Sequence, residues 1–217
     1  VRTLICGILI VSALASVARS APLSEGELKN LLAAIRQNRS TQADFHEERV
    51  IRLMKKPIVS SGTVWFQPPN KFRREVKGNS PSVTVSDGRD LWIYYPNFKS
   101  AERYPLGKGS PLDATVAAIN SALNLENIET SFKITATKTD NGHQLQLLPH
   151  TAAMKRVFQK LDLGINNEFR VERTDMLLPN GDRIVTRYTN QTRAPIPATM
   201  FKFKPPPGTE VTTPLGQ

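Results

Sequence analysis

The hydrophobic period of this chain changes once, near residue 40, and that change decides most of what the chain can fold into. Before it, Ser24-Glu25-Gly26-Glu27 places a glutamate three residues after a serine, the pattern of a capping box. Leu28, Leu31, Leu32 and Ile35 follow at the i, i+3, i+4, i+7 spacing of one helical face, which predicts a helix to about Asn38. After it the period is two. Segments at 44–53, 58–67, 71–77, 82–86 and 90–95 are short, rich in Val, Ile, Phe, Trp and Tyr, and bounded by Pro, Gly, Asn or Asp. Further strands are expected at 131–139, 143–149, 155–164, 168–177, 182–190 and 199–204. Asp87-Gly88, Asn141-Gly142 and Asn180-Gly181 are hairpin-type turn dipeptides.

One stretch departs from this rhythm. Ser110-Pro111-Leu112-Asp113 has an N-cap serine and a first-turn proline, and Leu112, Val116, Ile119 and Leu123 then share a face. A second helix is expected at 111–124. Sixteen prolines against twelve glycines suit short strands and turns better than a helical bundle. Lys204-Pro205-Pro206-Pro207-Gly208 is read as a stiff, extended end to the fold. The expectation is an α+β, mostly β chain built on one curved antiparallel sheet. A sheet of about ten strands tends to curl or close, and two helices cannot easily cover it, which leaves room for a cavity.

Residues 1–20 read as a secretory signal peptide, with Arg2, an apolar run from Leu4 to Val17, and small residues at Ala18 and Ser20 for a cut after Ser20. The apolar run is short for a membrane span. Residues 21–217 are then expected to form a single domain. Cleavage would remove Cys6, the only cysteine, and would take the net charge from +10 to +8 by loss of Arg2 and Arg19. An exported, basic, cysteine-free protein follows, with no intramolecular disulfide, Cys-built zinc site or CxxC centre. In a bacterium with two membranes its compartment is the periplasm.

No catalytic set emerges. His46, His143 and His150 fall in no HExxH pattern, no GxSxG is present, and Gly107-Lys108-Gly109-Ser110 lacks the spacing of a phosphate-binding loop. No metal site and no cofactor are expected. Lys55-Lys56, Lys71, Arg73-Arg74 and Lys77 form a basic cluster, which reads either as a solvated strand face or as attraction to an anionic membrane or acidic partner. Export argues against nucleic acid.

Several stretches together resemble the LolA family of periplasmic carriers for outer-membrane lipoproteins. They are Phe45-His46-Glu47-Glu48-Arg49, the run from Ser61 through Gly62-Thr63-Val64-Trp65-Phe66-Gln67-Pro68-Pro69-Asn70 to Lys71-Phe72-Arg73, and the run from Val85 through Ser86-Asp87-Gly88-Arg89-Asp90-Leu91-Trp92 to Ile93-Tyr94-Tyr95-Pro96. Phe201-Lys202-Phe203-Lys204 before the prolines completes the set. The resemblance implies an incomplete, half-open β-barrel whose concave apolar face is closed by helices acting as a lid. It implies a carrier, not an enzyme, that shields the acyl chains of a lipoprotein. It also implies loading by an inner-membrane lipoprotein-releasing transporter and unloading to an outer-membrane acceptor lipoprotein. A monomer is expected. Other readings stay open: a carrier of another amphiphilic lipid such as a glycolipid, a lipoprotein-sensing envelope-stress regulator, or, last, a secreted hydrolase. Two positions depart from the family pattern. Pro68 stands where an arginine precedes Pro-Asn, and Arg74 stands where an aromatic residue is common.

Strand alternation nominates the cavity face. Val64 shares a face with Phe66, Phe72 with Val76, Val83 with Val85, and Leu91 with Ile93. Leu145 pairs in the same way with Leu147, and Leu161 with Leu163, while Phe45 joins them from the first strand. The lid is assigned to Leu28, Leu31, Leu32 and Ile35 on the first helix and to Leu112, Val116, Ile119 and Leu123 on the second. At 90–95, Trp92 and Tyr94 compete with Leu91 and Ile93 for that face.

Overall fold

The structure is a computed structural model and describes residues 21–39, 41–68, 70–106 and 128–214. The expected helix at 111–124, with Leu112, Val116, Ile119 and Leu123, lies outside the described residues, as do residues 1–20. The first helix, α1 (Glu25–Gln37), forms as its sequence predicts. The Glu27 backbone N–H donates to the Ser24 hydroxyl at 3.4 Å, and the Ser24 backbone N–H donates to Glu27 Oε2 at 2.8 Å. This reciprocal cap satisfies two N-terminal donors that have no partner inside the helix.

Among the described residues twelve strands form a single sheet. The first five are β1 (Gln42–Val50), β2 (Ile58–Gln67), β3 (Lys71–Lys77), β4 (Ser82–Ser86) and β5 (Asp90–Tyr95). They are followed by β6 (Ser100–Pro105), β7 (Phe132–Thr139), β8 (Gly142–Pro149), β9 (Lys160–Asn166), β10 (Val171–Leu177), β11 (Arg183–Thr192) and β12 (Glu210–Thr212). The spatial order is β12-β6-β5-β4-β3-β2-β1-β11-β10-β9-β8-β7. Two hairpin meanders are thus joined by the long-range pairing of β1 with β11. The sheet is curved and open: β12 and β7 are its two ends and do not pair with each other. The three Asp/Asn-Gly dipeptides all lie at turns joining paired strands, with Gly142 the first residue of β8, and Gly181 needs its left-handed φ of 84° to turn β10 into β11.

Four expectations change. Ser100–Pro105 is a strand that the sequence reading missed, paired along its whole length with β5. The segment expected as a strand at 199–204 instead opens with a 3₁₀ turn at Ala198–Phe201 and pairs in no ladder of the sheet. The chain does not end its fold at the prolines, because β12 follows and pairs in parallel with β6. Finally, the strand expected at 44–53 ends at Val50, and the strands expected from 155 and 168 begin at Lys160 and Val171. A one-turn helix, α2 (Ala152–Lys155), precedes β9, and a turn in which Phe169 N–H donates to the Asn166 carbonyl precedes β10.

Register divides the sheet into two faces, because residues opposite each other in a ladder point the same way. The face carrying α1 is called the inner face here. Leu31, Leu32 and Ile35 of α1 join Leu145, Leu147, Leu161 and Leu163 of β8 and β9 in the main core cluster. Phe132 and Phe158 stack in the same cluster with ring centroids 5.8 Å apart.

Candidate functional site

Following the ladders across the inner face connects most of the nominated residues. Leu147 lies opposite Leu161 and Leu145 opposite Leu163, which lies opposite Thr174. Thr174 lies opposite Thr186, Thr186 opposite Glu47, and Tyr188 opposite Phe45. From Phe45 the row runs to Gly62 and Val76, with Val64 beside Arg74 and Phe66 beside Phe72. Phe72 lies opposite Ser86, which lies opposite Leu91, and Thr84 lies opposite both Arg74 and Ile93.

The two halves of this face differ in what covers them. Over β7 to β10 the helix is seated: Leu145, Leu147, Leu161 and Leu163 are each at most 4 % exposed, and Leu31, Leu32 and Ile35 lie against them. Leu28 is partly buried at the edge of the same cluster. Lid and floor therefore form one packed core in this half. Over β2 to β5, Val64, Phe72, Val76, Leu91 and Ile93 are only half-buried, and none belongs to that cluster. Phe66 and Phe45 are buried, and the Arg39 guanidinium lies 5.4 Å from the Phe66 ring centroid.

Between the halves runs a polar band that the sequence reading did not nominate. The Phe45 ring fills the space left by Gly62: a Cβ on Gly62 would lie 2.9 Å from Phe45 Cε1 and 1.8 Å from the Glu75 carbonyl oxygen. The Arg74 guanidinium lies 4.2 Å above the Phe45 ring, a cation–π contact, and its Nη2 is 3.0 Å from Glu47 Oε1. Nη2 is buried and this contact lacks hydrogen-bond geometry, so the pair is held by charge and stacking. Thr186 Oγ1 donates to Glu47 Oε2 at 3.2 Å. Burial pushes the Tyr188 hydroxyl above its ordinary range, and the Glu47 charge adds to this against bonds from Thr174 and Thr186 and the charge of Arg74. Further out on the same face, Tyr104 donates to Glu102 at 2.8 Å. Burial, that bond and the Glu102 charge push the Tyr104 hydroxyl up to about 12. The signal was in the sequence: Arg74 alternates with Phe72 and Val76, a charge within an apolar stripe.

Val83 and Val85 do not join this face. They lie opposite Glu75 and Arg73 on one side and Tyr94 and Trp92 on the other, so the register turns them outward. The same register resolves the competition in β5, with Leu91 and Ile93 inward and Trp92 and Tyr94 outward. Outside, Val85 and Phe201 are each 1 % exposed, and Phe203 packs on Trp92 and Tyr94 at 5.5 and 5.6 Å. Arg73 Nη1 donates to the Met200 carbonyl and ties this crossing segment to β3. Alternation in Ser82–Ser86 separates valine from serine and threonine, but only the neighbours' register tells which set is inside.

Among the described residues no three His, Cys, Asp or Glu side chains converge to hold a metal ion, and no helix is long and apolar enough to cross a membrane. An open sheet, antiparallel except for the β12–β6 pair, with one helix-covered apolar half and one half-exposed apolar half defines a half-barrel protein. Residues 36–204 match the family model described as outer membrane lipoprotein carrier protein LolA, and the chain belongs to that family. An outer-membrane lipoprotein carrier protein of Chromobacterium violaceum is 28% identical over 208 residues, covering 94% of this chain and 95% of that one. One from Dechloromonas aromatica is 27% identical over 190 residues, covering 86% and 87%. Among solved structures, an uncharacterized conserved protein from Thermus thermophilus superposes with a TM-score of 0.52 at 15% identity, over 86% of this chain and 99% of that one. That likeness is one of fold.

Proposed function

We propose that this chain is a periplasmic lipoprotein carrier, which shelters acyl chains on the half-exposed part of its inner face and delivers them towards the outer membrane. The observation that carries the reading is the unequal cover of that face. Val64, Phe72, Val76, Leu91 and Ile93 present half-buried apolar surface beside the buried Phe66, while the other half is fully occupied by α1. The relatives' name, outer-membrane lipoprotein carrier protein, supports the same cargo.

Magnitudes favour this position for the ligand. Burying an acyl CH₂ is worth about 0.8 kcal/mol, so a sixteen-carbon chain gains on the order of 12 kcal/mol. Lifting α1 would expose Leu31, Leu32 and Ile35 at roughly 1.5–3 kcal/mol each, about 5–9 kcal/mol together. Access along β2 to β5 avoids that cost, and α1 serves as a fixed wall. Partial cover also leaves binding weak enough to reverse, which a carrier without nucleotide chemistry requires. The domain is residues 21–217, and residues 1–20 act as an export signal. An inner-membrane lipoprotein-releasing transporter loads the carrier and an outer-membrane acceptor lipoprotein unloads it.

The polar band of Glu47, Arg74 and Tyr188 favours a second cargo, a glycolipid whose head group would meet it. Titrating a fluorescent triacylated lipopeptide and a glycolipid of equal chain length into residues 21–217 decides between them. The carrier reading expects saturable lipopeptide binding that Phe72→Asp abolishes while the circular dichroism spectrum is kept. Unchanged binding by the folded Phe72→Asp protein would overturn the placement, and preference for the glycolipid would replace the cargo.

A further inference from the structure

The two most exposed large apolar side chains among the described residues are Leu53, 96% exposed, and Phe98, 80% exposed. Both sit on turns. Leu53 is in the β1–β2 connection, and Phe98 closes the 3₁₀ turn Pro96–Phe98 between β5 and β6. In an antiparallel meander these turns lie at the same end of the sheet, four strand spacings apart, or about 19 Å along it. Met54 at 50%, Ile58 at 49% and Val59 at 55% extend the first projection.

Cations surround these points. Between residues 49 and 59 the sequence holds Arg49, Arg52, Lys55 and Lys56 and no acid. Lys77 and Lys99 border the neighbouring turns. Of the local carboxylates, Glu48, opposite Val59, lies 3.5 Å from Arg187 Nη1, and Asp182 is buried and already committed. It accepts from the Arg52 backbone N–H at 3.2 Å and from Asn180, and lies 3.8 Å from Arg49 Nη2. Those bonds pin the base of the hairpin to the β10–β11 turn, and Asn97 Nδ2 donates to the Asn79 carbonyl to tie the β5–β6 turn to its neighbour. The apolar tips are therefore held outward from anchored bases. Glu210 on β12 is the other carboxylate beside the second turn.

We propose that this end of the sheet docks on the surface of an anionic lipid bilayer. Leu53, Met54 and Phe98 enter the headgroup–acyl boundary, and Arg52, Lys55, Lys56 and Lys99 face the anionic head groups. Two small apolar projections about 19 Å apart, Leu53 with its neighbours on one turn and Phe98 on the other, do not form the continuous patch that a rigid protein partner buries. A fluid headgroup layer accepts isolated wedges ringed by cations. Docked in this way, the strands of the half-exposed inner face end at the membrane. The inference stands on the turns and is independent of what the inner face binds.

The test uses residues 21–217, which contain no cysteine, so a single introduced cysteine can carry an environment-sensitive fluorophore. The protein is mixed with phosphatidylcholine vesicles and with vesicles containing about 30 mol% phosphatidylglycerol. Co-sedimentation with the anionic vesicles only, falling steeply with salt, is expected. Lys55→Glu with Lys56→Glu weakens it by more than tenfold, at about fivefold per removed cation, and Leu53→Asp by roughly tenfold or more. A fluorophore on Leu53→Cys shifts to the blue on binding, whereas one on Asp140→Cys at the opposite end does not. Lipopeptide binding by these variants stays at the unmodified level, which separates this outcome from any failure of the carrier reading. Equal binding to neutral vesicles, an unshifted Leu53→Cys probe, or full binding by Leu53→Asp would each overturn the proposal.

Discussion

Truncating Leu147 and Ile93 to alanine, one at a time, separates the two halves of the inner face. Leu147 is 0% exposed, opposite Leu161 and beneath α1. A buried Leu→Ala change costs roughly 2–5 kcal/mol, the lost transfer energy plus the cavity left behind. At about 2–4 °C per kcal/mol for a domain of this size, a mid-range cost near 3 kcal/mol lowers Tm by about 6–12 °C. Ile93 is half-buried, lies between Thr84 and Glu102, and is outside the core cluster. Ile93→Ala removes three carbons at about 0.8 kcal/mol each if fully buried, so at partial burial the cost is about 1 kcal/mol and the Tm shift about 2–4 °C. Ligand affinity reverses the order. Ile93→Ala removes contacts to the acyl chain and weakens binding about five- to tenfold, while Leu147→Ala leaves it nearly unchanged. Thermal melts and lipopeptide titrations on the same preparations read both effects. If Ile93→Ala melted as low as Leu147→Ala and bound ligand normally, the β2–β5 half would be ordinary core and the division of labour wrong.

Gly62→Ala should be severely destabilising, because its Cβ would overlap the Glu75 carbonyl and the Phe45 ring; a melting temperature within a few degrees of the parent, by about 2–4 °C per kcal/mol, would refute the stacking of Phe45 on that glycine. Phe203→Ala should strip the outer aromatic cover from Trp92 and Tyr94, cost about 1–3 kcal/mol and red-shift the tryptophan emission; an unshifted spectrum would detach the crossing segment from that face. Asp175 supplies a pH test. Burial pushes its carboxyl up, but the Arg183 bonds and the charges of Arg183, Arg173 and Lys160 outweigh it and hold the group below its ordinary range. A depressed folded pKa contributes stability above the ordinary carboxylate value, about 4, and loses it as pH falls through the folded value. The stability gap between the parent and Asp175→Asn, read from urea midpoints, should therefore be widest near neutrality and close in acid. A gap independent of pH would remove the ion pairs from the explanation.

Sheet alternation and turn chemistry made much of the fold legible. Ile58–Gln67, Lys71–Lys77, Ser82–Ser86 and Asp90–Tyr95 begin and end where their apolar alternation does, because their turns carry proline, glycine or aspartate. Ser-Ala-Glu-Arg-Tyr-Pro at β6 has no such pattern, and its strand is imposed by the ladder with β5. Phe201 and Phe203 alternate as a strand would, yet they are held by side chains of the outer face and pair with no neighbour. Alternation also names sets of residues without saying which set is inside. That is why alternation alone groups Val83 and Val85 with Phe72 and Leu91, and only the register separates them. Nor can it say what covers a face. Leu145 and Leu163 read like Leu91 and Ile93 in sequence, but α1 packs on the first pair only. Glu47, Arg74 and Tyr188 come from three strands, and only the β11–β1–β2–β3 pairing brings them together.

The central claim, that the half-exposed inner face carries acylated cargo, is tested most directly by what the protein holds in its own cell. Protein purified from the envelope of its host and sprayed under native conditions should carry an acylated polypeptide, identified after denaturation. Phe72→Asp, prepared in the same way, should be free of it. Parent protein that arrives empty, or that carries the same cargo whether or not Phe72 is replaced, would contradict lipoprotein carriage on this face.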